Sequence, residues 1–172
     1  GTYGVATLDD CIDCGAGKFS TSIKATAETT CALCSTGRYS GTKGAPDDTV
    51  CILCGVGTAS SDEGQVSDSA CGACVAGEYA SKGASTCEGC SGGKVSTSDF
   101  SSCEDCVAGK KEVNAACVSC ANGKVSTAGV ESCSDCVAGT WGNTAHTQCI
   151  KCGAGHWSDT DMATSISTCT AC

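Results

Sequence analysis

Cys11-Ile12-Asp13-Cys14-Gly15-Ala16-Gly17-Lys18-Phe19-Ser20 is followed, after a short polar stretch, by Cys31-Ala32-Leu33-Cys34-Ser35-Thr36-Gly37-Arg38-Tyr39-Ser40. Both segments carry CxxC, a Gly three residues beyond the second Cys, an aromatic two residues after that Gly, and then Ser. The frame continues through the chain. Cysteines stand at 11/14, 31/34, 51/54, 71/74, 87/90, 103/106, 117/120, 133/136, 149/152 and 169/172, so all twenty fall in CxxC pairs spaced 14 to 20 residues apart. The framed glycines are Gly17, Gly37, Gly57, Gly77, Gly93, Gly109, Gly123, Gly139 and Gly155, and Gly1-Thr2-Tyr3 falls in the same phase. Tyr3, Phe19, Tyr39, Tyr79, Trp141 and Trp157 occupy the aromatic position, which leaves Phe100 as the one aromatic outside it. Self-similarity of this kind marks a repeat architecture.

The spacing predicts one continuous array over 1–172, with units of approximately 1–13, 14–33, 34–53, 54–73, 74–89, 90–105, 106–119, 120–135, 136–151 and 152–172. Glycine permits the positive φ of a tight turn. The alternation in Gly17-Lys18-Phe19-Ser20 suits a brief strand whose one large side chain covers neighbouring sulfurs. No apolar pattern of period 3.6 persists, so helices are not expected. The expected fold is small, disulfide-rich and mostly irregular with short β-strands, an elongated rod in which each unit contacts only its neighbours. Length varies only between the aromatic position and the next Cys, as in a surface loop.

Composition shows why cysteine is needed. Leu, Ile, Val and Phe number 22 of 172 residues and the net charge is −9. Burial of so little apolar surface does not offset chain entropy, so crosslinks or metals must carry the fold. Cysteine, at 20 residues, exceeds the roughly 8–10% that marks a disulfide scaffold. No apolar run is long enough for a transmembrane segment. The start at Gly1 shows no signal peptide, as expected of a processed chain or a fragment. With 10 Lys plus Arg against 19 Asp plus Glu, a nucleic acid backbone is repelled.

Paired CxxC motifs also fit zinc-ribbon arithmetic, with ten pairs making five Cys₄ sites. The irregular 14-to-20-residue spacing lacks the alternation that would group pairs two by two, which favours disulfides. Haem attachment fails because no His directly follows a second Cys, and a thioredoxin-type pair lacks its βαβ framework. The repeat allows three regular connectivities: within each CxxC, like with like between adjacent pairs, or the second Cys to the first Cys of the next pair. The third is favoured, since it closes each Gly-aromatic unit on itself whatever its loop length. It joins Cys14–Cys31, Cys34–Cys51, Cys54–Cys71, Cys74–Cys87, Cys90–Cys103, Cys106–Cys117, Cys120–Cys133, Cys136–Cys149 and Cys152–Cys169, each bridge worth about 3 kcal/mol on the chain-entropy model.

The pattern from Cys14 to Ser20, completed by Cys31 to Cys34, resembles the ephrin-receptor-like cysteine-rich repeat and the first half-module of tumour-necrosis-factor-receptor cysteine-rich domains. The resemblance spans the whole chain and implies the third connectivity. Ala16, Thr36, Val56 and Ala76 stand where the animal versions usually carry proline, and in this the chain is similar to CxxC-rich protist surface proteins.

The favoured pairing leaves Cys11 and Cys172 over. Either the chain continues a longer array, the preferred expectation, or Cys172 of one copy bonds Cys11 of the next in head-to-tail self-association. No catalytic constellation and no cofactor site is expected, so the chain is not read as an enzyme. His146 and His156 read as loop histidines, and the acidic groups Asp9-Asp10, Asp47-Asp48, Asp62-Glu63 and Asp159-Thr160-Asp161 as solvated charge, without EF-hand spacing. The fixed position of Tyr39, Tyr79, Trp141 and Trp157 points to packing on disulfides rather than a ligand stripe. Ser and Thr total 42 and offer sites for O-linked glycans, while Asn114, Asn122 and Asn143 lack the N-glycan sequon. The expectation is a secreted or cell-surface structural repeat protein of a filament, appendage or coat. The alternatives are a receptor-like ligand-binding ectodomain and a zinc-binding CxxC array.

Overall fold

The computed structural model describes residues 1–4 and 10–172. Among them there is no α-helix, and twenty strands of two to four residues pair into ten two-stranded sheets. The construction follows the frame. Lys18–Phe19 pairs antiparallel with Ala32–Leu33, with Lys18 opposite Leu33 and Phe19 opposite Ala32. Arg38–Tyr39 pairs in the same way with Ile52–Leu53, and Lys124–Val125 with Ser134–Asp135. The first strand of each hairpin is therefore the segment expected after the turn glycine. The second is the dipeptide inside the next CxxC, to which the sequence alone gave no role.

All nine framed glycines from Gly17 to Gly155 have φ between +71° and +85°, a region where a side chain is strained. The turn aims the glycine carbonyl at the next CxxC: the Cys34 N–H donates to Gly17 at 2.8 Å, Cys54 to Gly37 at 2.8 Å and Cys136 to Gly123 at 2.9 Å. In four of the long repeats a single 3₁₀ turn leads into the first Cys, at Glu28–Thr30, Asp48–Val50, Asp68–Ala70 and Ile166–Thr168. These turns stand where only irregular loop was expected. An aspartate helps one of them, since the Asp47 carboxylate accepts the Thr49 N–H at 3.0 Å, an Asx turn.

The chain forms two compact units, one of Gly1–Glu88 with Ser98–Ser102 and the other of Gly89–Thr97 with Cys103–Cys172. In the first, the Ser20 and Ser40 N–H groups donate to Ala45 and Gln65 one repeat on, beside parallel bridges Phe19↔Ala45 and Tyr39↔Gln65. Phe100, outside the aromatic frame, sits at φ 55° and its carbonyl accepts the Ala80 N–H. In the second unit the Ser126 N–H donates to His146 and the Gly142 N–H to Ala163, both at 2.9 Å.

Contacts reach beyond the adjacent repeat, and this corrects the expectation of neighbour-only packing. A Cβ added to Gly17 would overlap the Gly64 carbonyl, one on Gly37 the Gly83 carbonyl, and one on Gly123 the Met162 carbonyl, each two hairpins on. The physical reason is the missing Cβ. It frees the turn for positive φ and also lets a second backbone lie directly against it.

The core is made of sulfur and small residues. Cys14, Cys34, Cys54, Cys106 and Cys136 are fully buried, joined by Ala45, Ala80 and Ala163 and by Ser20, Ser40, Ser60, Ser126 and Ser158. The framed aromatics are only half-buried, and Trp157 is 51% exposed. The serine that follows the aromatic position is the buried member, and its hydroxyl oxygen finds backbone partners. Ser40 Oγ accepts the Thr42 N–H at 3.2 Å, and Ser126 Oγ donates to the Lys110 carbonyl at 2.8 Å.

Gly37→Ala is expected to lower stability by at least about 1–2 kcal/mol from backbone strain alone, with more from the overlap at Gly83. Gly15→Ala is expected to be nearly neutral, because nothing lies within 4 Å of its Cβ position and its φ is not positive. Denaturant unfolding with the disulfides intact compares the two, and equal losses would contradict this account.

Candidate functional site

With few large side chains to position, the structure concentrates its chemistry in sulfur. Nine disulfides join Cys14–Cys31, Cys34–Cys51, Cys54–Cys71, Cys74–Cys87, Cys90–Cys103, Cys106–Cys117, Cys120–Cys133, Cys136–Cys149 and Cys152–Cys169. Their Cα–Cα distances run from 5.4 to 5.9 Å, the range of ordinary bridges. Each bridge spans the first strand of one hairpin and joins the Cys at the loop end of its second strand, as Cys103 opposite Ser96 is bonded to Cys90, so ladder and covalent bond close overlapping loops. Cys11 and Cys172 are free and exposed.

A sulfur in a disulfide is not a thiolate, so this bonding and a zinc array compete for the same atoms. The one cluster of potential ligands among the described residues, Cys74, Glu78 and Cys87, contains two sulfurs already bonded to each other. Cys149, the nearest sulfur in sequence to His146, is bonded to Cys136. His146 is not the plain surface histidine expected. It is half-buried at φ 59°, its carbonyl is tied to Ser126, and its Nδ1 is buried without a partner. His156 is exposed, with Nδ1 3.3 Å from the Ala154 carbonyl.

Several acidic groups are spent on local structure. Asp161 accepts the Ala138 N–H at 2.8 Å, and Asp47 accepts from both the N–H and the hydroxyl of Thr49, which holds its carboxyl below the ordinary aspartate range. Asp9 lies outside the described residues. Lysines that follow turn glycines pair across the hairpins, Lys94 with Asp105 at 2.7 Å and Lys124 with Asp135 at 2.5 Å. Lys18 meets Glu28 at 2.8 Å, and its hydrogen bond, then its charge, lowers the Glu28 carboxyl. Such exposed pairs contribute little to stability.

Sequence reasoning missed the depression around Arg38. A shallow cavity of about 180 Å³ is lined by Phe19, Leu33, Ser35, Arg38, Asp48 and Cys51, and it holds the only arginine of the chain. The uniqueness of Arg38 was the available signal. Its convergence with Phe19 and Leu33 depends on two successive hairpins lying side by side, which spacing alone does not reveal.

A core of tandem disulfides, paired strands of two to four residues and loops poor in large side chains define a cysteine-rich repeat protein. Within that class, residues 123–169 match the family described as tyrosine-protein kinase ephrin type A/B receptor-like, and the chain carries a cysteine-rich repeat of this ephrin-receptor-like kind. No curated protein matches the chain. Disulfides and repeat type together fit an extracellular setting, and none of the described helices is long and apolar enough to cross a membrane.

Unfolded without reductant, the chain is expected to titrate two thiols per molecule, read with a chromogenic thiol reagent. A count near twenty, accompanied by zinc, would replace the disulfide account with the metal one. A second expectation concerns Tyr79, whose hydroxyl donates to Glu88 at 2.7 Å. That hydrogen bond, then the Glu88 charge, raises the phenol above the ordinary tyrosine range. The contribution is complete below the ordinary tyrosine pKa and is lost as pH rises through the raised value. Glu88→Gln should return Tyr79 toward the ordinary range in an ultraviolet absorbance titration, whereas an unchanged curve would remove Glu88 as the cause.

Proposed function

We propose that the protein is an extracellular structural repeat protein, a component of a filament, appendage or cell-surface coat, extended along its repeats as a rod. The single observation that carries the reading is the composition of the interior. Buried cystines and small residues hold the fold, and the loops are rich in Ser and Thr. A covalently closed interior suits material exposed to proteases and dilution, where a small apolar core would not persist. The net charge of −9 keeps such a surface hydrated. O-linked glycans on the Ser- and Thr-rich loops belong to the same proposal, with a mass above that of the bare chain as their signature.

A second reading, a ligand-binding ectodomain, draws on the cavity around Arg38. Arginine and an aromatic in one depression are the residue types that anchor protein partners.

Immunogold electron microscopy of native material separates the two. Label repeating along a filament or continuous coat is expected, and isolated label on a bare surface would overturn the structural reading. Arg38→Ala should leave the labelled structure intact; loss of the assembly through that one change would instead favour recognition at the cavity.

A further inference from the structure

In three successive repeats of the first compact unit, the residue after the turn glycine and the first residue of the 3₁₀ turn hold equivalent frame positions: Lys18 with Glu28, Arg38 with Asp48, and Thr58 with Asp68. The first pair closes, Lys18 Nζ lying 2.8 Å from the Glu28 carboxylate. The third has no cation. The second carries both charges and stays open. Ion pairs among the described residues join Lys18 to Glu28, Lys94 to Asp105 and Lys124 to Asp135, and neither the Arg38 guanidinium nor the Asp48 carboxylate has a hydrogen-bonding partner there. Aspartate reaches one methylene less than the glutamate of the closed pair.

The two open charges line the depression of about 180 Å³ together with Phe19, Leu33, Ser35 and Cys51. Leu33 is 44% exposed and Phe19 half-buried, so apolar surface lies in the same hollow. Its residues are held in place by closed elements. Phe19 and Leu33 sit on the two strands of one hairpin, and Arg38 begins the strand paired with Ile52–Leu53. Asp48 opens a turn in which its carbonyl accepts the Cys51 N–H at 3.0 Å, and Cys51 is bonded to Cys34.

We propose that this depression binds a free α-amino acid with an apolar side chain. A guanidinium takes a carboxylate through two parallel hydrogen bonds, which assigns the ligand's carboxylate to Arg38. The Asp48 carboxylate, an acceptor when ionised, takes the α-ammonium group. Phe19 and Leu33 cover the side chain, whose apolar area leaves water. An acid without an amine would set its anion beside Asp48, and an amine without an acid would set its cation beside Arg38. A ligand that carries both charges on one carbon satisfies the two groups together. The volume falls below the roughly 300–1,000 Å³ of pockets for drug-sized ligands, so the occupant is one small molecule.

An amino-acid site rests on the ligand-binding reading of this cavity and gives that reading a ligand class. The test titrates the full oxidised chain with L-phenylalanine, with hydrocinnamate, which lacks the amine, and with phenethylamine, which lacks the carboxylate, following backbone amide shifts by NMR. Phenylalanine should give saturable shifts at Ser35, Arg38 and Asp48 at about millimolar concentration. Each of the other two should bind at least about tenfold more weakly, having lost one charged hydrogen bond. Arg38→Ala and Asp48→Asn should each weaken phenylalanine by about tenfold, with the remaining amide spectrum preserved as the sign of an intact fold. The amides of Gly55 and Asp68, at the equivalent positions of the repeat without a cation, should not move; shifts there as large as at Ser35 and Asp48 overturn the site. Hydrocinnamate binding as tightly as phenylalanine overturns the zwitterion and keeps a ligand site at Arg38. No saturable shift from any of the three up to about 10 mM overturns the amino-acid site and the ligand-binding reading together.

Discussion

Everything in this molecule depends on closing a short chain segment over a glycine in the left-handed region. The turn at Gly17 sends Lys18–Phe19 back along Ala32–Leu33, and the bridge from Cys14 to Cys31 fixes the result. A two-residue ladder is far too small to persist in water by itself. A disulfide without the turn would only tether a loop. Together they make a rigid unit from about twenty residues that contain almost nothing large to bury, and every later contact is an edge or a carbonyl placed by that unit.

The same economy explains which residues lie inside. Where an ordinary domain would use Leu or Phe, this one uses cystine, Ala45 or Ala163, and a serine such as Ser40 that satisfies its own hydroxyl. The aromatics stay at the rim. Their ordered recurrence reflects a site on the hairpin that the following repeat partly covers rather than a place in the core.

Much of the fold was legible because periodicity is a global signal carried by the rarest and most constrained residues. CxxC spacing and the glycine three residues later located the turns and the first strands. The strand hidden inside each CxxC was not legible, since Ala32-Leu33, Gly72-Ala73 and Ser134-Asp135 share no propensity and become strands only through their partners. The approach of Gly37 to Gly83 was equally silent, because a glycine needed for its φ looks the same in sequence as one needed for its emptiness. For the candidate site, the two unpaired thiols followed from register. The cavity at Arg38 did not, since it arises between hairpins rather than within one.

The closure of each loop also decides how the chain answers to being pulled. Tension entering at Cys14 crosses the bridge to Cys31, a Cα–Cα distance of 5.7 Å, and then follows three residues to Cys34, about 11 Å at full extension. The intervening loop never enters the path. A repeat that would stretch to about 70 Å as open chain therefore yields only about 16 Å. While its bridges are intact, the covalent path through such a repeat is capped near that length, and reduction of the Cys14–Cys31 bridge releases the length of that loop alone.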